Sequence, residues 1–317
     1  MSETRKLVVD SLEAHYVTRE GIIKAVDKVS FEIRENESIG IAGETASGKS
    51  TLGLALLRSL QPPGKIVGGN ILLRGQNISK MTDADFDKKV RWKKIAMVFQ
   101  GAMNTLDPVY TIGSQMSEIL REHKIDIDQE PLIYNSLKQV GLDPSIASRY
   151  PHELSGGMKQ RVVIAMALLL DPDIVIADEP TTALDVLVQA QIMDLLKTLR
   201  KKRGLTVILI THDLNLILEF ADKIGVMYAG QLVEFGSSKD LYVSPKHPYT
   251  QALIGSIPRL HSVHKDLQFI AGSSPNMLEL PVGCKYFSRC PHAKELCRED
   301  PPQIELENGF VRCWLYK

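Results

Sequence analysis

The sequence predicts an α/β fold in which a largely parallel sheet is covered on both faces by helices. Three observations predict it. Short apolar segments alternate with helical patterns through the second half of the chain. One apolar segment runs into a glycine-rich loop that opens a helix, and another ends in a pair of carboxylates. At 317 residues the chain can form a main domain with a large core and an attached smaller region. Basic and acidic residues balance at 38 each, so no general basic field points to a nucleic-acid partner. The longest apolar run, Val162–Leu170, is too short to span a bilayer. The first ten residues carry no signal-peptide pattern, which leads us to expect a cytosolic chain.

Taken in order, Lys6–Val9 and Val29–Ile33 alternate as strands, and Ser38–Ala42 reads as a short buried strand. It enters GETASGKST, Gly43–Thr51, which has the spacing of the Walker A phosphate-binding loop. Backbone N–H groups of such a loop wrap phosphates, and the positive end of the following helix, expected over Leu52–Leu60, faces them. In that motif Lys49 reaches the outer phosphates and Ser50 holds Mg²⁺. The other reading is a glycine-containing turn that matches by accident; the strand before and helix after favour the site. If position 46 requires a positive φ, Ala46 brings strain of roughly 1 kcal/mol.

Pro62-Pro63-Gly64 stops the helix, and strands are expected at Ile71–Arg74 and Ile95–Phe99. From Thr111 to about Gly141 the pattern turns helical, with Ile112, Met116, Ile119 and Leu120 on one face and Leu132, Ile133, Leu137 and Val140 on the next. Gly141 reads as the cap. The α/β rhythm then resumes with a helix from Ser155 to Leu170, a strand at Ile174–Ala177 and a helix at Val186–Arg203. A strand at Thr206–Ile210, a helix at Leu214–Ala221 and a hairpin turning at Ala229-Gly230 complete it. The basic run Arg200–Arg203 fits the last turn of a helix capped by Gly204 better than a nucleic-acid contact.

DIVIADEP, Asp173–Pro180, ends a buried strand in two carboxylates, which are costly to bury without metal or catalysis to use them. Asp178 is expected behind Mg²⁺, and Glu179 is placed to polarise a water for in-line attack on a terminal phosphate. LSGGMKQR, Leu154–Arg161, starts a helix with two bare glycine N–H groups and the Ser155 hydroxyl, a second anion site.

With these motifs the chain resembles the ATP-binding cassette family, whose signature is LSGGQ-like. The resemblance implies a RecA-like P-loop core with an antiparallel β subdomain and an inserted α-helical subdomain at about 101–158. It assigns Gln100 to the Q-loop and to Mg²⁺, Ala183-Leu184-Asp185 to the D-loop, with Asp185 its acid, and His212 to the switch position on the γ-phosphate. Tyr16 stands where an aromatic stacks on adenine, or else is a plain edge aromatic. Nucleotide contacts then fall to Gly43, Glu44, Thr45, Ala46, Ser47, Gly48, Lys49, Ser50 and Thr51. Ser155, Gly156, Gly157 and Gln160 meet the ATP of a second, head-to-tail cassette.

The resemblance narrows further. FQGAMNTLDPV, Phe99–Val109, looks like the FQDPMTSLNPV-type segment of importers for peptides and related substrates. PKHPYTQALIGSIP, Pro245–Pro258, matches the HPYT-containing element that follows their cassettes, and PPGKIVGGN fits the D-type of their two ATPase subunits. This implies an ATPase domain over 1–240 and a C-terminal extension over 241–317, at the cytoplasmic face of the membrane. The implied partners are a second, non-identical ATPase subunit, two membrane permease subunits and an extracellular substrate-binding protein. The cargo is a peptide, with an oligosaccharide or nickel as alternatives. A soluble cassette working on ribosomes or DNA is the rival of another class, and a regulator without turnover is a third.

Cys284, Cys290, Cys297 and Cys313 all lie in the last 34 residues, and in a cytosolic chain such clustering argues for metal over disulfides. Four thiolates suit Zn²⁺ or an iron–sulfur cluster on softness grounds. The resemblance implies a [4Fe–4S] cluster over Zn²⁺, with free thiols as the third reading; His292 reads as a surface histidine, since four thiolates already suffice.

Overall fold

Period-two alternation finds only one end of each long outer strand, because their pairing is bulged. The computed structural model describes residues 5–125, 127–257, 270 and 272–317. It opens with β1 (Arg5–Val17), β2 (Ile22–Arg34), β3 (Ile39–Ala42), α1 (Lys49–Leu56), β4 (Gly64–Leu73) and β5 (Gln76–Asn77). There follow α2 (Asp83–Lys89), β6 (Ile95–Val98), α3 (Ile112–Glu122), α4 (Glu130–Gln139), α5 (Gly156–Leu168), β7 (Ile174–Asp178), α6 (Val186–Arg203) and β8 (Thr206–Ile210). The chain continues through α7 (Leu214–Phe220), β9 (Lys223–Tyr228), β10 (Gln231–Ser237), α8 (Ser238–Val243) and α9 (Pro248–Gly255) to β11 (Gln303–Leu306) and β12 (Gly309–Arg312).

Contacts divide the chain into two units, Met1–Lys80 with Leu209–Lys317, and Met81–Ile208. In the first unit β2-β1-β4-β5 form an antiparallel sheet. β1 runs on past the expected Val9 because Ser11 takes a φ of 49° and the register shifts there, so burial resumes out of phase at Leu12 and Ala14. A second run of strands is ordered β11-β12-β10-β9-β3. β3 and β9 are parallel, and the β9–β10 hairpin turns at Ala229 (φ 46°) and Gly230 (φ 83°), the positive pair of a type I′ turn. Leu52 and Leu56 of α1 are buried against β1, β2 and β4.

The C-terminal region, expected to begin at 241, supplies strands to a sheet of the first unit. β12 pairs with β10 through Glu234–Val311 and Phe235–Phe310, and the two phenylalanine rings stack at 5.9 Å, so residues 303–312 extend a sheet of the first unit. Pro258, the last residue of the HPYT-containing element, lies outside the described residues.

In the second unit β6 and β7 pair in parallel, in the order β8-β7-β6. The expected insert, 101–158, shares this unit with β6, β7, α5 and α6. Met116, Leu120, Ile133 and Leu137 of α3 and α4 are buried, and Ser136 donates to the Ala165 carbonyl of α5 at 2.7 Å. α6 ends as expected, with Gly204 at φ 63° returning its N–H to the Arg200 carbonyl; Arg203 bonds Gln139 and pairs with Asp171. Seven-residue α2 escapes a periodicity argument because Phe86 is its one buried apolar residue, although Thr82 caps it by accepting from Asp85 N–H. Among the described residues no helix is long and apolar enough to cross a membrane.

Candidate functional site

The first unit builds the phosphate loop. All of β3 is buried, and its end delivers Gly43 into the loop. Gly48, at φ 101°, is the residue from which α1 starts; a Cβ there would run into the Ala25 carbonyl, so only glycine fits. The helix therefore begins at Lys49, three residues before the expected Leu52, and stops at Leu56. Lys49 is buried, and its ammonium donates to the carbonyls of Gly43 and Glu44, both at 2.8 Å. The Gly230 N–H of the β9–β10 turn donates to Ser47 O at 3.0 Å, pinning the loop from outside. Ala46 has a φ of 64°, the left-handed conformation in which the sequence expects strain.

Two more expected residues belong to this unit. Tyr16 is half-buried on β1, its hydroxyl 3.5 Å from the Thr51 hydroxyl at the start of α1. His212 is exposed just beyond β8, between Thr211, whose N–H reaches Ile41 O on β3, and Asp213, which caps α7.

Glu44 ties the loop to the C-terminal region. Its N–H donates to the Tyr249 hydroxyl at 2.9 Å, and its carboxylate takes two bonds from Arg289, each 2.9 Å, and one from Ser274 at 2.8 Å. Burial works to raise the Glu44 pKa, yet the Arg289 and Ser274 bonds with the Arg289 and Lys49 charges hold it below the usual carboxylate range. Tyr249 is fully buried, and burial pushes its hydroxyl well above the ordinary phenol range, so it stays a neutral hydroxyl. The HPYT motif therefore points straight at the phosphate loop, which its role as a family marker had not suggested. Arg289 lies between two of the cysteines and carries no sequence signal of its own.

The second unit holds the carboxylates and the signature helix. β7 is buried throughout and ends at Asp178. Glu179 follows with a φ of 48°, a strained conformation for a residue with a side chain, and Thr182 donates to its carboxylate at 3.1 Å. Beyond it Gln189 donates to the carbonyls of Thr181 and Leu184, fixing the D-loop, and Asp185 caps α6 by accepting from Val188 N–H at 3.0 Å. Neither Gln189 nor the Arg161 bond to the Val140 carbonyl at the end of α4, 2.8 Å, is expected from the sequence.

Ser155 and Gly156 are exposed at the start of α5, with Ser155 accepting from Met158 N–H. Gly157 lies so close to Val188 of α6 that a Cβ would sit 2.8 Å from a Val188 methyl, so signature helix and D-loop are packed as one piece. Gln160 stands apart from these three. It is 3 % exposed on the inner face of α5, five positions from the Ser155 cap, and its side chain does not share the exposed start of the helix. The residue standing at the fifth place of the signature is Met158. Gln100 is exposed just past β6.

The cysteines lie in the first unit. Cys284 N–H donates to the Cys297 carbonyl at 2.9 Å, and Cys313 follows β12. Burial, followed by the nearby Cys290, Cys297 and Cys313, pushes the Cys284 thiol up to about 11; burial also raises Cys290 and Cys313. Yet among the described residues no group of three or more Cys, His, Asp or Glu side chains is placed to hold a metal ion, so the expected four-thiolate ligand set is not assembled.

The ABC transporter family model matches residues 26–182, and the model for the oligopeptide/dipeptide transporter C-terminal region matches 233–297. The dipeptide transport ATP-binding protein DppD of Caldanaerobacter subterraneus subsp. tengcongensis is 42% identical over 315 residues, 98% of this chain and 96% of that protein. The chain belongs to the ABC transporter family. The oligopeptide transport ATP-binding protein OppD of Escherichia coli is 41% identical over 96% of this chain and 91% of its own length. Among solved structures, a dimeric ATP-binding cassette in a post-hydrolysis state with ADP and Pi superposes with a TM-score of 0.64. It is 30% identical, and the match covers 73% of this chain and 98% of that one. The α/β core with its antiparallel sheet is thus the ABC ATPase fold.

Proposed function

We propose that this chain is the ATP-hydrolysing subunit of a membrane importer for dipeptides or oligopeptides. The observation that carries this is the continuous likeness to dipeptide and oligopeptide transport ATP-binding proteins, which runs through both the cassette and the C-terminal region. The Tyr249 hydrogen bond to the phosphate loop gives that C-terminal region a reason to accompany the cassette.

In this reading the N–H groups of Glu44–Thr51 and the Lys49 ammonium hold the ATP phosphates, and Tyr16 stacks on the adenine. The fit is favourable: the loop ends on the N-terminus of α1, whose first turn carries no carboxylate to repel phosphate. Ser50, Gln100 and Asp178 would hold Mg²⁺, which neutralises phosphate charge. Glu179 orients and deprotonates the attacking water, and His212 hydrogen-bonds the γ-phosphate. Ser155, Gly156 and Gly157 serve the ATP of a second, non-identical cassette, with Asp185 of the D-loop at the same interface. The exposed side chains of Val186 (82 %) and Leu187 (69 %) beside Asp185 support an interface there.

Two permease subunits would receive the pair at the cytoplasmic face of the membrane, with an extracellular substrate-binding protein supplying cargo. A groove of about 500 Å³ lined by α3, α4 and residues 147–148, including Ser117, Ile133 and Tyr134, offers the second unit a place to grip a permease segment. The four cysteines would hold a [4Fe–4S] cluster rather than Zn²⁺. Their thiols are near enough to raise one another's pKa, but the arrangement described above does not fit the cluster without rearrangement of the thiols.

The test is ATPase and uptake by the complex reconstituted in vesicles. Peptides should stimulate both. Stimulation by an oligosaccharide or nickel alone would reassign the cargo, and turnover indifferent to the membrane complex would remove the transport reading. Absorption of anaerobically purified protein with elemental analysis checks the cysteines; zinc without iron sinks the cluster.

A further inference from the structure

The phosphate loop carries a carboxylate, Glu44, where a polyphosphate is to be bound, and an unneutralised negative charge beside such a ligand weakens its binding. The structure neutralises it with one residue from the far end of the chain. Arg289 makes two parallel bonds to Glu44, Nη1 to Oε2 and Nη2 to Oε1, each 2.9 Å. The Arg289 side chain is only 6 % exposed. Its guanidinium lies 5.7 Å from the ring centre of Tyr228 and 5.8 Å from that of Tyr286, and it donates to the Tyr228 hydroxyl at 3.3 Å. Tyr228, Tyr249 and Tyr286 pack against one another, with centres 4.6, 5.2 and 5.3 Å apart. The cation is therefore held in place by packing as well as by its partner. The same Glu44 gives its N–H to Tyr249 and its carbonyl to Lys49. Moving the carboxylate would disturb the carbonyl on which the phosphate-binding lysine rests.

The geometry points to Arg289 as a positioning residue for nucleotide binding: it pairs with Glu44, cancels that charge at the phosphate loop, and holds the loop in its binding shape. This rests on the reading that Gly43–Thr51 holds ATP.

The test is steady-state ATPase kinetics of the full-length chain in its membrane complex, over a range of Mg·ATP. Arg289→Met should raise KM about tenfold and leave kcat within twofold, because the bare Glu44 carboxylate opposes the bound phosphates equally before and during reaction. Arg289→Lys keeps the charge and should stay within threefold of the parent KM. Adding Glu44→Gln to Arg289→Met should bring KM most of the way back, a rescue that damage to folding would not give. An unchanged KM in Arg289→Met, a fall in kcat alone, or a KM rise that Glu44→Gln fails to correct overturns the proposal. Lys49→Ala, measured alongside, separates the two readings. If that variant keeps full ATP binding, the loop assignment itself fails; if it loses binding while Arg289→Met is unaffected, only the Arg289 assignment does.

Discussion

The two ends of the proposed ATP chemistry are built differently. In the first unit the phosphate loop is held from every side by its own chain: Gly230 on Ser47, Tyr249 and Arg289 on Glu44, and Lys49 back onto the loop carbonyls. In the second unit the start of α5 and the D-loop are firmly packed together yet leave Ser155, Gly156, Val186 and Leu187 facing solvent. A loop that must grip a flexible polyphosphate gains from being preorganised, since less ordering is left for the binding step. A helix start whose ligand arrives on another chain must stay open. In the proposed assembly, one region is finished within the chain and the other is completed by a partner.

The largest expected effect breaks the chemistry without touching either arrangement. Glu179→Gln keeps the shape and hydrogen-bonding of the strained residue but removes the proposed base, so turnover should fall by about 10³-fold while ATP still binds. Full hydrolysis by that variant would remove Glu179 from its role. Ser155→Arg then tests the open region: it places a bulky cation at the start of α5, and turnover by the assembled complex should drop about a hundredfold. ATP affinity of the separate chain, read by calorimetry, should hold, because the chain's own loop is untouched. A parallel loss of affinity would mean that the two regions are not as independent as drawn.

The closed region is predicted to be sensitive to acid. His247 is buried, accepts from Tyr249 N–H at the start of α9, and has its pKa pushed down to about 3 by burial. A group depressed on folding adds stability above its unfolded pKa of about 6.5, and that stability is lost as pH falls toward 3. Its full extent is on the order of 4–5 kcal/mol. Glu234, which accepts from the His247 N–H, is raised by burial and acts in the opposite sense, so the histidine is isolated by comparison with a variant. His247→Asn keeps a capping acceptor but cannot titrate. Its melting temperature should lie below the parent's near neutrality and close the gap between pH 6 and pH 4; parallel curves would exclude His247 titration. The smallest effect belongs to Ala46→Gly. Relief of the positive φ outweighs the added freedom of the unfolded chain by only about 0.5 kcal/mol, a rise of a degree or two in melting temperature.

Much of this was legible in the residues. The loop, the carboxylate pair and the signature are local, each readable from a few neighbours, and α6 and β8 begin and end where periodicity and the Gly204 cap place them. The bulged strands were cut short because a residue such as Ser11 reverses the alternation on which the reading depends. The burial of Gln160 was not legible because a position in a motif does not state which face of α5 it occupies, and the helical turn puts it inside.

By itself the sequence determined the strand–loop–helix at Gly43, the acids ending β7 and the order of the motifs, because these rest on backbone geometry within one or two elements. Only the tertiary structure decided what surrounds the loop. Glu44 and Arg289 are 245 residues apart, and nothing local to either announces the other. Their pairing exists because β12 joins β10 and the Tyr228, Tyr249 and Tyr286 rings pack together, folding the cysteine-bearing end of the chain back against its phosphate loop.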